Sequence, residues 1–310
     1  PKVTQNNLMT TKGIISAVSF SGEESNLLGY SCKISGDGST LVVGIPNWND
    51  FSGSVNIYKK ENGNWTLKQT LVGTYTDSWG ASSRTIKNSA NEFGSSVGIS
   101  RDGSIIAVGE PTLSSNDGRY GSLSGRINVY EEQSGEWVKL GSYLTTAHNH
   151  HIARNVQVSA DGSTIAFDDF NTRVYGGGYY AVNRVGFLRR GESGFSDFDQ
   201  WYSPIFLESS RFIDINDGSE SSGEALSLSD DGSIIAVDFI SGSTRNIGVY
   251  RLTFAEDNSS ISYEKVGSNI ATQYSLDVDS GGNTTKKGTL KTSLSSCLLY
   301  TSPSPRDRSL

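Results

Sequence analysis

One stretch recurs through this chain and constrains its fold more than any bulk property does. Residues 92–111 read Glu-Phe-Gly-Ser-Ser-Val-Gly-Ile-Ser-Arg-Asp-Gly-Ser-Ile-Ile-Ala-Val-Gly-Glu-Pro. Val97 and Ile99 alternate with small residues, and Ile105 to Val108 form an apolar run. Between them lies Asp102-Gly103, a strong hairpin signal, because glycine accepts the positive φ such turns need. The expectation is two short strands, A and B, joined by a tight turn.

The pattern returns at Leu28–Pro46, Ile152–Asp168 and Ser222–Asp238, with turn aspartates Asp37, Asp102, Asp161 and Asp231 spaced 65, 59 and 70 residues apart. Ser275-Leu-Asp-Val-Asp-Ser-Gly-Gly282 reads as a decayed fifth copy. The second half of each unit repeats as well. Gly53-Ser-Val-Asn-Ile-Tyr58 matches Gly125-Arg-Ile-Asn-Val-Tyr130, and more loosely Asn183–Leu188 and Asn246–Tyr250. A turn at Asn62-Gly63 or Ser134-Gly135 then leads to a fourth strand that begins at Trp65 or Trp137. Each unit is therefore a meander A-B-C-D of about 60 residues. Four-stranded units at this period define an all-β protein, a β-propeller of antiparallel blades, since radial stacking covers both faces of every sheet. A β-solenoid competes, but its repeats are usually shorter.

The expected organisation is as follows. Residues 1–26 hold a strand of a preceding blade. Residues 27–296 form the propeller, with blades at about 27–72, 91–145, 150–207 and 220–270 and a partial one at 271–296. The array is expected to be incomplete at both ends. Pro1 carries neither an initiator Met nor a signal-peptide pattern, so the N-terminus reads as the interior of a longer chain. Residues 297–310, Cys-Leu-Leu-Tyr-Thr-Ser-Pro-Ser-Pro-Arg-Asp-Arg-Ser-Leu, resemble a translated sequencing adapter and are set aside as an artefactual or disordered tail. Cys32 is then the one cysteine that counts, and no intrachain disulfide is expected. Cys32 aligns with Val97, Val156 and Leu226, so it is read as a core residue. Trp65 and Trp137 are read as packing between blades.

Composition supports this reading and excludes some functions. The chain has 35 Gly against 6 Pro and 1 Met, which fits many turns and few long helices. Its net charge of −7 argues against nonspecific binding to nucleic acid or an anionic membrane. No apolar run approaches the ~18 residues of a membrane span.

With Phe93-Gly94 and Gly109-Glu-Pro111 in place, the repeat resembles the FG-GAP family of integrin-α-like propellers. Leu28-Gly29 and Gly44-Ile-Pro46 are the same landmarks in unit one. Units three and four keep only the middle of the motif, with Ile152-Ala153 and Ser222-Gly223 for Phe-Gly, and Asp168 and Asp238 for the glycine before Pro. The resemblance covers about residues 27–283. It implies an extracellular or cell-surface, non-enzymatic module for adhesion or ligand binding. Calcium is a cofactor in many such repeats, through an Asp-x-Asp-x-Asp-Gly loop between strands A and B. That loop is missing here, so no cofactor is expected. The four turn aspartates read as turn formers, and Asp277-Val-Asp279 is the nearest approach to a calcium loop.

Strands alternate direction in a meander, so the B–C and D–A connections share one end. These connections, including 47–52, 73–90, 112–124, 169–182 and 239–245, read as long irregular loops, the usual place for binding residues. Trp48, Trp79, Tyr120, Tyr175 and Tyr179 are the candidate ligand-binding residues, suited to stacking on sugars or anchoring a protein. The alternative is that they fold back against the blades. His148, His150 and His151 form the one histidine cluster, and a metal is the lesser reading of it. No nucleophile elbow, zinc-protease motif or P-loop is present. Three readings stand: a binding module for a protein or glycan within a larger polypeptide, a propeller glycosidase or lyase using the strand-B carboxylates Glu110, Asp168, Asp169 and Asp238, and a structural spacer in a large surface protein.

Overall fold

A computed structural model describes residues 2–10, 13–21, 26–73, 92–114, 123–144, 150–175, 178–190, 205–207, 226–241, 244–256, 261–275, 277–278 and 284–285. The chain divides into two compact units, Pro1–Arg154 and Asn155–Leu310, each taken by itself below.

Unit 1 opens with a two-stranded hairpin, β1 (Lys2–Thr10) and β2 (Gly13–Ser21). Blade 1 follows as β3 (Ser31–Ile34), β4 (Thr40–Ile45), β5 (Ser54–Glu61) and β6 (Asn64–Val72), all antiparallel and in chain order. A single helical turn, α1 (Trp48–Phe51), joins β4 to β5. Blade 2 repeats the order with β7 (Ser96–Ile99), β8 (Ile105–Ser114), β9 (Leu123–Gln133) and β10 (Glu136–Leu144). β11 (His150–Val158) starts in unit 1, where His150 pairs in parallel with Ser124.

In unit 2, blade 3 is completed by β12 (Thr164–Tyr175), β13 (Gly178–Arg189) and β14 (Ile205–Leu207). Blade 4 is β15 (Leu226–Leu228), β16 (Ile234–Ser241), β17 (Thr244–Phe254) and an outer strand in two pieces, β18 (Ile261–Lys265) and β19 (Ile270–Ser275), both paired with β17. The outer strand is thus broken: Gly267, at φ +73, lies between the two pieces. A short pair, β20 (Asp277–Val278) with β21 (Thr284–Thr285), follows. The molecule is an all-β propeller array of four-stranded blades.

Stacking of blades explains the apolar runs. Strand B lies in mid-sheet with both faces covered, so it cannot alternate; Ile105, Ile106, Ala107 and Val108 are all buried. Between blades 1 and 2 the core is Val42, Val55, Ile57 and Leu71 against Phe93, Val97, Ile106, Val108, Tyr130 and Trp137. Between blades 3 and 4 it is Ala166, Val185 and Phe187 against Leu226, Leu228, Ile235, Val237, Tyr250 and Leu252. Equivalent positions therefore do equivalent work: the Val42 and Ala166 faces trail, and the Val97 and Leu226 faces lead. Burying one such side chain contributes about 1.5–3 kcal/mol.

Cys32 departs from its expected place. It is exposed, although Val97, Val156 and Leu226 at the same repeat position are buried. The reason lies in the neighbours: Tyr30 and Ile34 beside it on strand A are 64% and 54% exposed, so this strip of blade 1 is not covered. Trp137 is buried as expected, whereas Trp65 is half-buried.

Candidate functional site

The two ends of the blades are built on different principles. At the A–B end all four turns share one hydrogen-bond pattern. In blade 2 the Ser100 hydroxyl donates to Asp102 Oδ1 at 2.6 Å, and the Ser104 amide donates to the same oxygen at 3.0 Å. The Ile105 amide donates to Ser100 Oγ at 3.0 Å. Ser159, Asp161 and Ser163 repeat these contacts in blade 3, and Ser229, Asp231 and Ser233 in blade 4. In blade 1 Asp37 takes the Ser35 hydroxyl and the Ser39 amide and hydroxyl. Glycine follows each aspartate at positive φ, from +70 to +79.

These bonds hold the aspartates ionised. The Ser35 hydroxyl, then the Ser39 amide, holds Asp37 below the usual carboxylate range. At Asp102, Asp161 and Asp231 burial resists ionisation, and donation from the serine hydroxyls and following amides outweighs it, again lowering each pKa. Each turn aspartate accepts, at Oδ1, a serine hydroxyl and a following backbone amide that shape its turn.

The B–C end differs from blade to blade. In blade 1 it is the α1 turn, closed by the Gly53 amide donating to the Trp48 carbonyl at 3.0 Å. Trp48 is half-buried there. In blade 2 it holds a buried charged group. Glu110, at the end of the apolar part of β8, is 1% exposed and pairs in register with Arg126 on β9. Arg126 Nη1 lies 3.8 Å from Glu110 Oε2, and Asn128 Nδ2 donates to the same oxygen at 3.2 Å. Tyr130 lies on the same strand; burial, then the charge of Glu110, pushes its phenol far above the ordinary range. In blade 1 the matching Asn56 instead bridges Tyr58 and Thr70, at 3.3 and 2.8 Å.

In blade 3 the expected irregular loop at 169–182 is largely strand. β12 and β13 pair without interruption from Thr164↔Arg189 to Tyr175↔Gly178. In blade 4 the same holds as far as Ser241↔Thr244. Each connection shrinks to two residues because the register closes directly. Asp168 and Asp238 are buried on these strands, and Asp168 Oδ1 accepts the Asn155 amide at 2.7 Å. Asp169 pairs in register with Arg184.

Trp48, on α1, is the one candidate aromatic whose side chain is described. Trp79 and Tyr120 lie outside the described residues. Tyr175 and Tyr179 both fall at the tip of the β12–β13 hairpin, where Tyr175 pairs in register with Gly178 and Tyr179 with Val174. His148 lies outside the described residues. His150 and His151 are successive positions on β11. Among the described residues no three His, Cys, Asp or Glu side chains group as metal ligands, and no helix is long and apolar enough to cross a membrane. Arg126 was not foreseen, because its blade 1 counterpart is Ser54 and only the strand register brings it to Glu110.

No family model matches this sequence, and no curated protein does. Among solved structures the chain is similar to the Dos1 propeller, at 11% identity over 86% of this chain and 60% of that one, with a TM-score of 0.41. It is similar to Sqt1 from Chaetomium thermophilum, at 14% identity over 84% and 52%, with a TM-score of 0.42. It is similar to TolB from Acinetobacter baumannii, at 11% identity over 87% and 60%, with a TM-score of 0.30. The chain spans about three fifths or less of the length of these structures. Its class rests on its own sheets: it is a β-propeller repeat protein.

Proposed function

We propose that this protein is a non-enzymatic, extracellular binding module of the FG-GAP type, which takes a protein or carbohydrate ligand at the B–C and D–A end of its blades. One observation carries the reading: the A–B turns are the same in four blades, while the B–C end is a helical turn, a buried ion pair or an extended ribbon according to the blade. A scaffold with one uniform end and one varied end presents recognition at the varied end. Catalysis is not part of the proposal. Glu110 is engaged by Arg126 and Asn128, and Asp168 by the Asn155 amide.

The test is a glycan array and a panel of cell-surface proteins probed with the intact chain, with mass spectrometry of any bound glycan afterwards. Binding that weakens at least about tenfold in Trp48→Ala or Trp79→Ala, without loss of folding, supports the reading. Cleaved glycan products would replace it with a glycosidase or lyase, and silence across both panels would replace it with a spacer.

A further inference from the structure

Blade 1 carries a pattern that the binding reading does not use: Asn64-Trp65-Thr66, an asparagine with a threonine two residues on. This is the acceptor pattern for an N-linked sugar. Asn258-Ser-Ser260 and Asn283-Thr-Thr285 carry it too, but Asn258 and Asn283 lie outside the described residues.

The hairpin that presents Asn64 does not depend on it. Asn62 at φ +50 and Gly63 at φ +82 make the two-residue loop between β5 and β6. Two successive positive φ values are what so short a hairpin requires. Asn64 is then the first residue of β6 and pairs in register with Glu61. Blade 2 builds the same hairpin with Ser134-Gly135 and has Glu136 where blade 1 has Asn64. Orientation suits the role as well. Residues two apart on a strand share a face. Asn64 and Thr66 are both exposed, and Trp65 between them is half-buried. The amide and the hydroxyl therefore reach solvent from one side of β6, while the ring turns to the other.

The place of this hairpin in the blade matters for recognition. The Lys60 amide donates to the Ser39 carbonyl at 2.8 Å, and Thr40 pairs with Lys59, so the hairpin stands beside the A–B turn of blade 1. The α1 turn with Trp48 lies at the other end of β5, a strand of eight residues. Such a strand separates its two ends by roughly 25 Å.

We propose that Asn64 is an N-glycosylation site whose sugar projects from the uniform end of blade 1 and leaves the varied end open. The proposal rests on the extracellular reading above, since the sugar donor belongs to a secretory compartment. In the transfer, Asn64 Nδ2 bonds to the anomeric carbon of a lipid-pyrophosphate-linked oligosaccharide. The bond from that carbon to the pyrophosphate oxygen breaks, the lipid pyrophosphate leaves with the electron pair, and Nδ2 gives up one proton. The Thr66 hydroxyl is the group by which the transferase recognises the acceptor.

The test secretes the full chain, behind a cleavable leader, from a eukaryotic host. Trypsin then yields Glu61–Lys68, and peptide N-glycosidase in heavy-oxygen water converts a sugar-bearing asparagine into a labelled aspartate, located by fragmentation. Label at position 64 is expected in the greater part of the chains. Asn64→Gln and Thr66→Ala are each expected to lose it, and Thr66→Ser to keep it. Secreted, folded chain with an unlabelled Asn64 overturns the proposal. Should secretion fail, translation in the presence of microsomes reads the transfer as a mass increase that Asn64→Gln removes; no difference between the two overturns the proposal equally. A sugar on Asn64 with silence across the ligand panels keeps this site and removes the binding module. An unmodified Asn64 with ligand bound removes the site and keeps the module. Where ligand binds, stripped and sugar-bearing protein are expected to bind equally, and tighter binding after stripping would overturn the placement of the sugar away from the ligand.

Discussion

The Gln69 side-chain amide grips the backbone of Trp137 from both sides. The Trp137 amide donates to Gln69 Oε1 at 2.7 Å, and Gln69 Nε2 donates to the Trp137 carbonyl at 3.0 Å. One side chain on the outer strand of blade 1 thereby satisfies both backbone groups of a residue in blade 2. Lys59 adds a 3.0 Å ion pair to Glu132 and lies over the Trp137 ring, 5.1 Å from its centre. Trp137 Nε1 in turn donates to the Gly103 carbonyl at 3.2 Å. Replacing Gln69 with Leu is expected to cost about 1–3 kcal/mol by leaving both groups unmatched, read from urea unfolding. Gln69→Glu keeps the acceptor and loses the donor, and should fall between.

Acid should weaken the protein through its turns. The folded pKa of Asp37, Asp102, Asp161 and Asp231 is lowered. Their stabilisation is therefore complete above the unfolded aspartate value of about 3.9 and is lost as pH falls through the folded values beneath it. Urea midpoints are expected to be flat from pH 7 to about 5 and to drop below about 4. Asp161→Asn should lower the plateau and shallow the acid limb. An unchanged slope would remove the turns as its cause.

Two substitutions around one carbonyl should act in opposite directions. Gly109→Ala drives a Cβ against the Ala153 oxygen and Ser96 Oγ, and since the oxygen belongs to the backbone, about 3 kcal/mol of destabilisation is expected. Ala153 itself holds φ +64. Ala153→Gly relieves that conformation and is expected to stabilise by about 1 kcal/mol, seen as a higher melting temperature.

The charged pair of blade 2 is expected to behave as a unit. Arg126→Met strands the buried Glu110 and should cost about 3 kcal/mol or more, whereas Arg126→Met with Glu110→Gln should recover most of the loss. A double-mutant cycle gives the coupling directly.

The blade was legible in sequence where its cause is local. Asp102-Gly103 makes its turn from neighbours two residues away, and the Ile105–Val108 run reports mid-sheet burial without knowledge of any partner. Cys32 was misread because burial belongs to the neighbouring blade, not to the strand that bears it. The 169–182 segment was read as a loop because its Gly-Gly-Gly at 176–178 and mixed polarity hide a register that only pairing reveals. Arg126 and Gln69 were silent for a related reason. Their partners lie 16 and 68 residues away and meet them only through sheet register or blade stacking.

The four matching A–B turns have a consequence for how the chain acquires its shape. Each closes over a handful of residues, so the polypeptide has four near-identical places at which folding can start within microseconds. Equal nuclei also invite error, because strand A of one blade can zip to strand B of another and trap a swapped intermediate. The unlike B–C ends limit that risk. A helical turn, a charged pair and an extended ribbon cannot stand in for one another, so a wrongly paired hairpin meets a mismatch before it can be completed.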